Sequence, residues 1–135
     1  MVREKECSVL VSAGRLTLQG DLCLSEGAQG VVAFAHGSGS SRLSPRNRHV
    51  ARRLRQAGLA TLLIDLLTAS EEAVDMEQGN FRFDIGLLAR RLVGATDTLK
   101  QLSDTKDLFH IAFKMTVIYN VAMEVFHGKS SPFFW

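Results

Sequence analysis

Apolar residues follow two rhythms along this chain. Between Cys7 and Leu24 they alternate with polar ones: Leu16, Leu18, Leu22 and Leu24 stand against Arg15, Thr17, Gln19 and Asp21. Alternation marks a strand with one face in the core and one in water. We read strands over 7–11 and 15–24, joined by a turn at Ser12-Ala13-Gly14. They form a hairpin whose second strand suits a half-exposed antiparallel edge. After a second turn at 25–30 the rhythm changes. Residues 31–35 (VVAFA) and 59–67 (LATLLIDLL) are continuous apolar runs, as expected of strands covered on both faces, and 108–113 (LFHIAF) is a third.

Between these runs the spacing is helical. Ser44 is a good N-cap and Pro45 suits the first helical position. Val50, Leu54 and Ala57 share a face, and Gly58 closes the helix. From about Asp84 the apolar positions Ile85, Leu88, Leu92, Ala95, Leu99 and Leu102 advance by threes and fours, a single stripe on a second helix. The polar stretch 68–80 between them reads as a loop. Residues 117–126 fit either a helix with Val117, Val121 and Val125 on one side or a buried strand. The order is a β-hairpin followed by β-α-β-α-β. It predicts an α/β fold, a mostly parallel sheet with helices on both faces.

The chain has 135 residues, 46% hydrophobic and 22% charged, which is one ordinary globular domain. A net charge of +2 does not argue for a polyanionic partner. The arginines at 42, 46, 48, 52, 53 and 55 contain no aromatic residue among them to stack bases, so they read as a solvated helix face, and no nucleic acid is expected. The opening MVREKECSVL carries early charges and no apolar core of a leader, so we expect a cytoplasmic chain with Cys7 and Cys23 reduced. The apolar segment 108–126 is interrupted by His110, Lys114, Asn120 and Glu124, which excludes it as a membrane span. No spacing of His, Cys, Asp or Glu suggests a metal, and no cofactor is expected. His110 reads as a core histidine; His49 and Asp84 read as surface or capping residues.

One stretch holds candidate chemistry. FAHGSGSSR, 34–42, leaves an apolar strand and precedes a helix. A phosphate-binding loop would need G-x-x-x-x-G-K-[ST], and no lysine follows these glycines; Gly128-Lys129-Ser130 has no helix after it. A dinucleotide site is closer, with Gly37-Ser38-Gly39 after a strand and Asp65 at the end of the next. The third glycine is replaced by Arg42, however, and a helix starting at Pro45 begins too late for its N-terminus to meet a pyrophosphate. An oxyanion hole fits best. There a His-Gly segment supplies a backbone N–H, and glycines let the backbone approach the substrate.

The run FAHGSGSSRLSPRNRHVARRLRQAGLATLLIDLLT resembles the dienelactone-hydrolase-like branch of the α/β-hydrolases, and the resemblance continues through FRFDIGLLARRLVGATDTL at 81–99. It covers about residues 7–107. It implies a partial α/β-hydrolase fold acting on an ester or lactone. It also implies oxyanion donors at Ser38 and Gly39, a substrate-facing loop at His36 and Gly37, and Glu72 at the pocket border. The family's nucleophile elbow, G-x-S-x-G after the strand at 108–113, is missing from the sequence. An ungapped reading sets Thr116 at the nucleophile position, with Lys114 and Ile118 where glycines belong. Beyond it only Glu124 and His127 remain for an acid and a histidine.

We therefore divide the chain into 1–107, the N-terminal part of a hydrolase domain, and 108–135, an elbow-strand region with a divergent tail. Two function classes follow: a hydrolase by descent that is inactive as this chain, or a non-catalytic binding or interaction fragment. A dinucleotide-binding βαβ module ranks behind both. With few strands beyond 113, the sheet edge is expected to be open. Residues 115–135 then either fold over it or leave the protein to self-associate.

Overall fold

The computed structural model describes residues 3–35, 41–81, 84–114 and 123–127, the last segment and residues 109–114 as backbone only. A hairpin opens the chain: β1 (Glu4–Ala13) pairs antiparallel with β2 (Leu16–Ser25) in an unbroken register from Glu4↔Ser25 to Ala13↔Leu16. The turn is tighter than the sequence suggests. Ser12 and Ala13 still belong to the strand, and Gly14 makes the reversal at φ +63°. There follow β3 (Gly30–Ala35), α1 (Pro45–Gln56), β4 (Leu59–Ile64), α2 (Ala69–Gln78), α3 (Ile85–Gln101), β5 (Phe109–Lys114) and β6 (Met123–His127).

The described strands form one sheet in the order β1-β2-β4-β3-β5-β6. The inner three are parallel, β3 lying between β4 and β5, with Ala35 level with both Ile64 and Lys114. The hairpin joins through an antiparallel β2–β4 pair, and β6 joins antiparallel to β5. This corrects one expectation. β2 is an interior strand between β1 and β4, and the edge is β1. Its alternation survives inside the sheet because Leu18 and Leu22 point to the large core while Gln19 stays exposed. Residues 123–127 resolve the open choice for that part of the tail in favour of a strand.

Helices cover both faces. Leu88, Leu92, Ala95 and Leu99 of α3 pack on Val31, Ala33, Ala60, Leu62 and Ile64. Gly94 lets α3 press onto the hairpin, since a Cβ there would stand 2.6 Å from the Ser12 carbonyl oxygen. On the opposite face, Ala51 and Val50 of α1 meet Phe34 and Leu63. The buried face of α1 thus runs through Asn47 and Ala51, whereas Ala57, assigned to it from sequence, is the exposed C-cap. Gly58 follows at φ +91°, the left-handed conformation expected after a helix end.

The stretch 68–80 is not a loop. Thr68 caps α2 with a reciprocal box: its hydroxyl accepts from the Glu71 N–H at 3.2 Å, and the Glu71 carboxylate accepts from the Thr68 N–H at 2.9 Å. Gly79 closes the helix at φ +70°. The T-x-x-E signature at 68–71 announces this start; the polar composition hid it. Among the described residues no helix is long and apolar enough to cross a membrane.

Candidate functional site

The topology singles out the C-terminal end of β3. From β3 the chain steps to β4 on one side through α1, then crosses to β5 on the other through α2 and α3. Strand order reverses at β3, and such a switch point opens a crevice between loops that depart in opposite directions. The FAHGSGSSR loop leaves the sheet there. His36, Gly37, Ser38 and Gly39 themselves lie outside the described residues, as does Thr116. The strand end before them and the turn after them frame the loop.

Ala35, the last residue of β3, is fully buried between its neighbours. On the far side, residues 41–44 form a compact turn. The Ser41 carbonyl accepts from the Ser44 N–H at 3.1 Å and from the side-chain amide of buried Asn47 at 2.8 Å. The Ser41 hydroxyl accepts from the Leu43 N–H at 3.1 Å. Arg42 is held twice by Asp65. Its backbone N–H donates to one carboxylate oxygen at 2.8 Å and its guanidinium to the other at 2.5 Å. The same guanidinium lies 3.3 Å from Asp21 of β2, an ion pair without hydrogen-bond geometry. Burial opposes the charged form of Arg42, but Asp65 and then Asp21 outweigh it and leave its pKa above the ordinary value. Asp65 is fixed in turn by its N–H, which donates to the Gln19 carbonyl at 3.1 Å. Asp65 is therefore engaged by Arg42 through both carboxylate oxygens. Five residues separate Gly39 from the start of α1 at Pro45, so the helix N-terminus does not directly follow the glycines as a dinucleotide site requires.

A second clamp holds the chain leaving β4. Buried Arg91 of α3 donates to the Leu66 carbonyl at 2.7 Å and grips both Glu71 oxygens at 2.7 and 2.8 Å. Arg91 holds the Glu71 carboxyl below its usual range, against a smaller opposing effect of burial and with help from the Thr68 N–H. Glu71 is thus a structural anchor. Glu72, its neighbour on α2, is half-buried; no described contact brings it to the loop. Asp84 caps α3, accepting from the Leu87 N–H at 3.0 Å, and His49 is exposed, both as read from sequence.

The basic helix face divides in two. Arg46, Arg48, Arg52 and Arg53 are exposed. Arg55 instead turns inward, donating to Thr61 Oγ1 at 2.9 Å and to Glu4 at 3.2 Å. Cys23 lies beside it, buried, and desolvation pushes its thiol pKa up despite Arg55. Such a thiol stays protonated and is a poor nucleophile. Among the described residues no group of His, Cys, Asp and Glu is placed to hold a metal. Sequence reasoning missed Asn47 and the Arg42–Asp65 pair; the SSR, SPRN and DLL segments contain them, but nothing in their spacing tells that they meet.

Comparison with known proteins bears on this arrangement. No family model matches the chain. A dienelactone hydrolase of Anabaena variabilis matches it with 58% identity and a TM-score of 0.78, over 83% of this chain and 52% of that one. A dienelactone hydrolase-like promiscuous phosphotriesterase from metagenomic libraries, 21% identical with a TM-score of 0.61 over 83% of this chain and 49% of its own, shares the fold. In sequence, a Mycobacterium tuberculosis protein whose name is that of a phosphoribosyl transferase is 49% identical over 107 residues, which is 79% of this chain and 23% of that protein. That name covers a chain most of which lies outside the match. The chain spans about half the length of the solved hydrolases it matches and under a quarter of that curated relative. Over the matched region, with its parallel core, the chain has part of an α/β-hydrolase fold and is similar to dienelactone hydrolase, of which it spans about half the length.

Proposed function

We propose that this chain provides the oxyanion-binding side of a hydrolase site for carboxylic esters or lactones. The donors are the backbone N–H groups of Ser38 and Gly39. His36, Gly37 and Glu72 are the candidate substrate-facing residues. The observation that supports this most is the placement of the loop. It leaves the middle one of three parallel strands at their C-terminal ends, next to β5, the strand after which a hydrolase carries its nucleophile. An ester carbonyl under attack develops negative charge on oxygen. Fixed N–H donors about 3 Å from that oxygen stabilise it without reorganisation, and removing one such donor costs on the order of 100-fold or more in kcat.

The nucleophilic side is a different matter. The 135 residues contain no G-x-S-x-G, the pattern that raises an activated serine on a strained turn. These 135 residues are therefore proposed not to turn over esters on their own. Titrating the 15N-labelled chain with acetate, a carboxylate that mimics the charged oxygen, tests the donor assignment. The Ser38 and Gly39 amide signals should move and saturate together. Amides that stay still while acetate rises to the level at which unrelated exposed amides begin to respond would refute it.

A further inference from the structure

We propose that the free edge of β1 is a docking strand for a second copy of this chain, pairing antiparallel with its own counterpart about a two-fold axis at Ser8. The contact lies wholly on the hairpin and does not involve the loop after β3.

The backbone fixes which groups are on offer. The Glu26 N–H donates to the Arg3 carbonyl at 2.9 Å, so Arg3 turns its main chain towards β2. Gln19 turns its own towards β4, since its carbonyl accepts from the Asp65 N–H, and Gln19 stands opposite Leu10. Backbone groups alternate sides along a strand, and the β1–β2 register has no bulge to break that alternation. Cys7, Val9 and Val11 therefore bond to β2, and Glu6, Ser8 and Leu10 point their N–H and C=O groups away from the sheet. Among the described residues none takes these groups up. Edge strands are usually blunted by proline, by a bulge or by charges along their length. β1 has no proline and no bulge, and past Glu6 it has no charge. Its even-numbered side chains lie on the α1 side of the sheet, where Glu4 meets Arg55, and there Leu10 is 63% exposed.

The same features set the register. A two-fold axis normal to the sheet places even residues opposite even ones, with their outward backbone groups facing. Towards the turn α3 closes on Ser12, where Gly94 comes near its carbonyl, so pairing stops at about Leu10. Centring the axis on Glu6 or Cys7 sets the two Glu6 carboxylates opposite or diagonal to each other, and like charges so placed repel. Centring it on Ser8 sets Glu6 against Leu10 of the other copy, so that its methylenes cover the exposed leucine. On the α3 side it sets Cys7 against Val9. Glu6, Ser8 and Leu10 then exchange about six backbone hydrogen bonds with their counterparts, two for each facing pair. The two Ser12 residues lie about 27 Å apart at ~3.4 Å per residue, so the α3 helices approach the joined strands from opposite ends. A contact of this size belongs to the small, transient class, so association rises with concentration.

Sedimentation equilibrium of the 135-residue chain over a rising concentration series, with residue-resolved amide exchange at both ends of the series, tests this. The wild-type mass should climb from monomer to dimer. The amides of Glu6, Ser8 and Leu10 should exchange at least tenfold more slowly at the dimeric end, while those of Cys7 and Val9, already bonded within the hairpin, change little. Ser8→Pro removes one outward N–H and no bond to β2, a position where an edge strand tolerates proline. Leu10→Lys places a charge on the contact at an exposed site. Each should weaken association at least tenfold and leave the melting temperature of the dilute chain near wild type. If Ser8→Pro fails to fold, Leu10→Lys must still show the loss. A wild-type chain that stays monomeric throughout overturns the proposal. So does a dimer that both variants keep, or one that protects none of the three amides.

Discussion

Arg91 is 5% exposed, and its charge is tolerated there because Glu71 and the Leu66 carbonyl take up its donors. Removing one partner of a buried pair leaves the other unsatisfied, so Glu71→Gln should lose about 3 kcal/mol at neutral pH, the low end of the range for such pairs. The pH dependence has a fixed sign. Arg91 lowers the folded pKa of Glu71, so its contribution is fully present above the unfolded value of about 4.3 and is lost as pH falls through the lower folded value. Urea unfolding from pH 7 to pH 3 should show wild type losing stability in acid more steeply than Glu71→Gln. Parallel curves would mean that Glu71 is not ion-paired in the fold. None of this was legible from composition, because glutamate in a polar stretch looks the same whether it is solvated or clamped.

Elements were legible where apolar spacing decides them. The stripe Leu88, Leu92, Ala95, Leu99 packs as read, and the runs around Val31 and Leu62 are the buried strands. Two readings went astray for definite reasons. α2 buries little of its surface, so no stripe marks it; its evidence lay in a cap, Thr68 with Glu71, which hydropathy does not register. β2 alternates like an edge strand, yet antiparallel pairing to β4 needs only backbone, and alternation reports the layers above and below rather than the strands beside it. Gly94 shows the opposite case, a residue unremarkable in sequence and decisive in packing. Alanine is the better helix former by about 1 kcal/mol, yet a Cβ there would meet the Ser12 carbonyl oxygen at 2.6 Å. Gly94→Ala should therefore lower stability, by about 1–3 kcal/mol as overpacked sites do. An unchanged or raised melting temperature would show that α3 and β1 separate without strain.

At the scale of the molecule, the parallel centre with β3 as its switch strand was implied by the alternation of strand and helix, and the crevice followed from it. That the candidate loop follows β3 was readable from sequence; the contacts of Arg42 were not, since Arg42, Asp21 and Asp65 come together only through the pairing of β2 with β4. At the far side β6 pairs with β5 from His110↔His127 to Lys114↔Met123 and covers an edge that would otherwise be bare. Deleting residues 115–135 should expose that edge and produce association and dye binding in light scattering and fluorescence. A monodisperse shortened chain without dye binding would show that the strand protects nothing. The proposed site has an oxyanion-binding loop and no G-x-S-x-G elbow within the same 135 residues. Its most direct test is to incubate the chain with a fluorophosphonate and weigh the intact protein by mass spectrometry. An unmodified mass is expected, because the sequence has no G-x-S-x-G elbow to present an activated serine. A stoichiometric adduct mapped to any serine would contradict it.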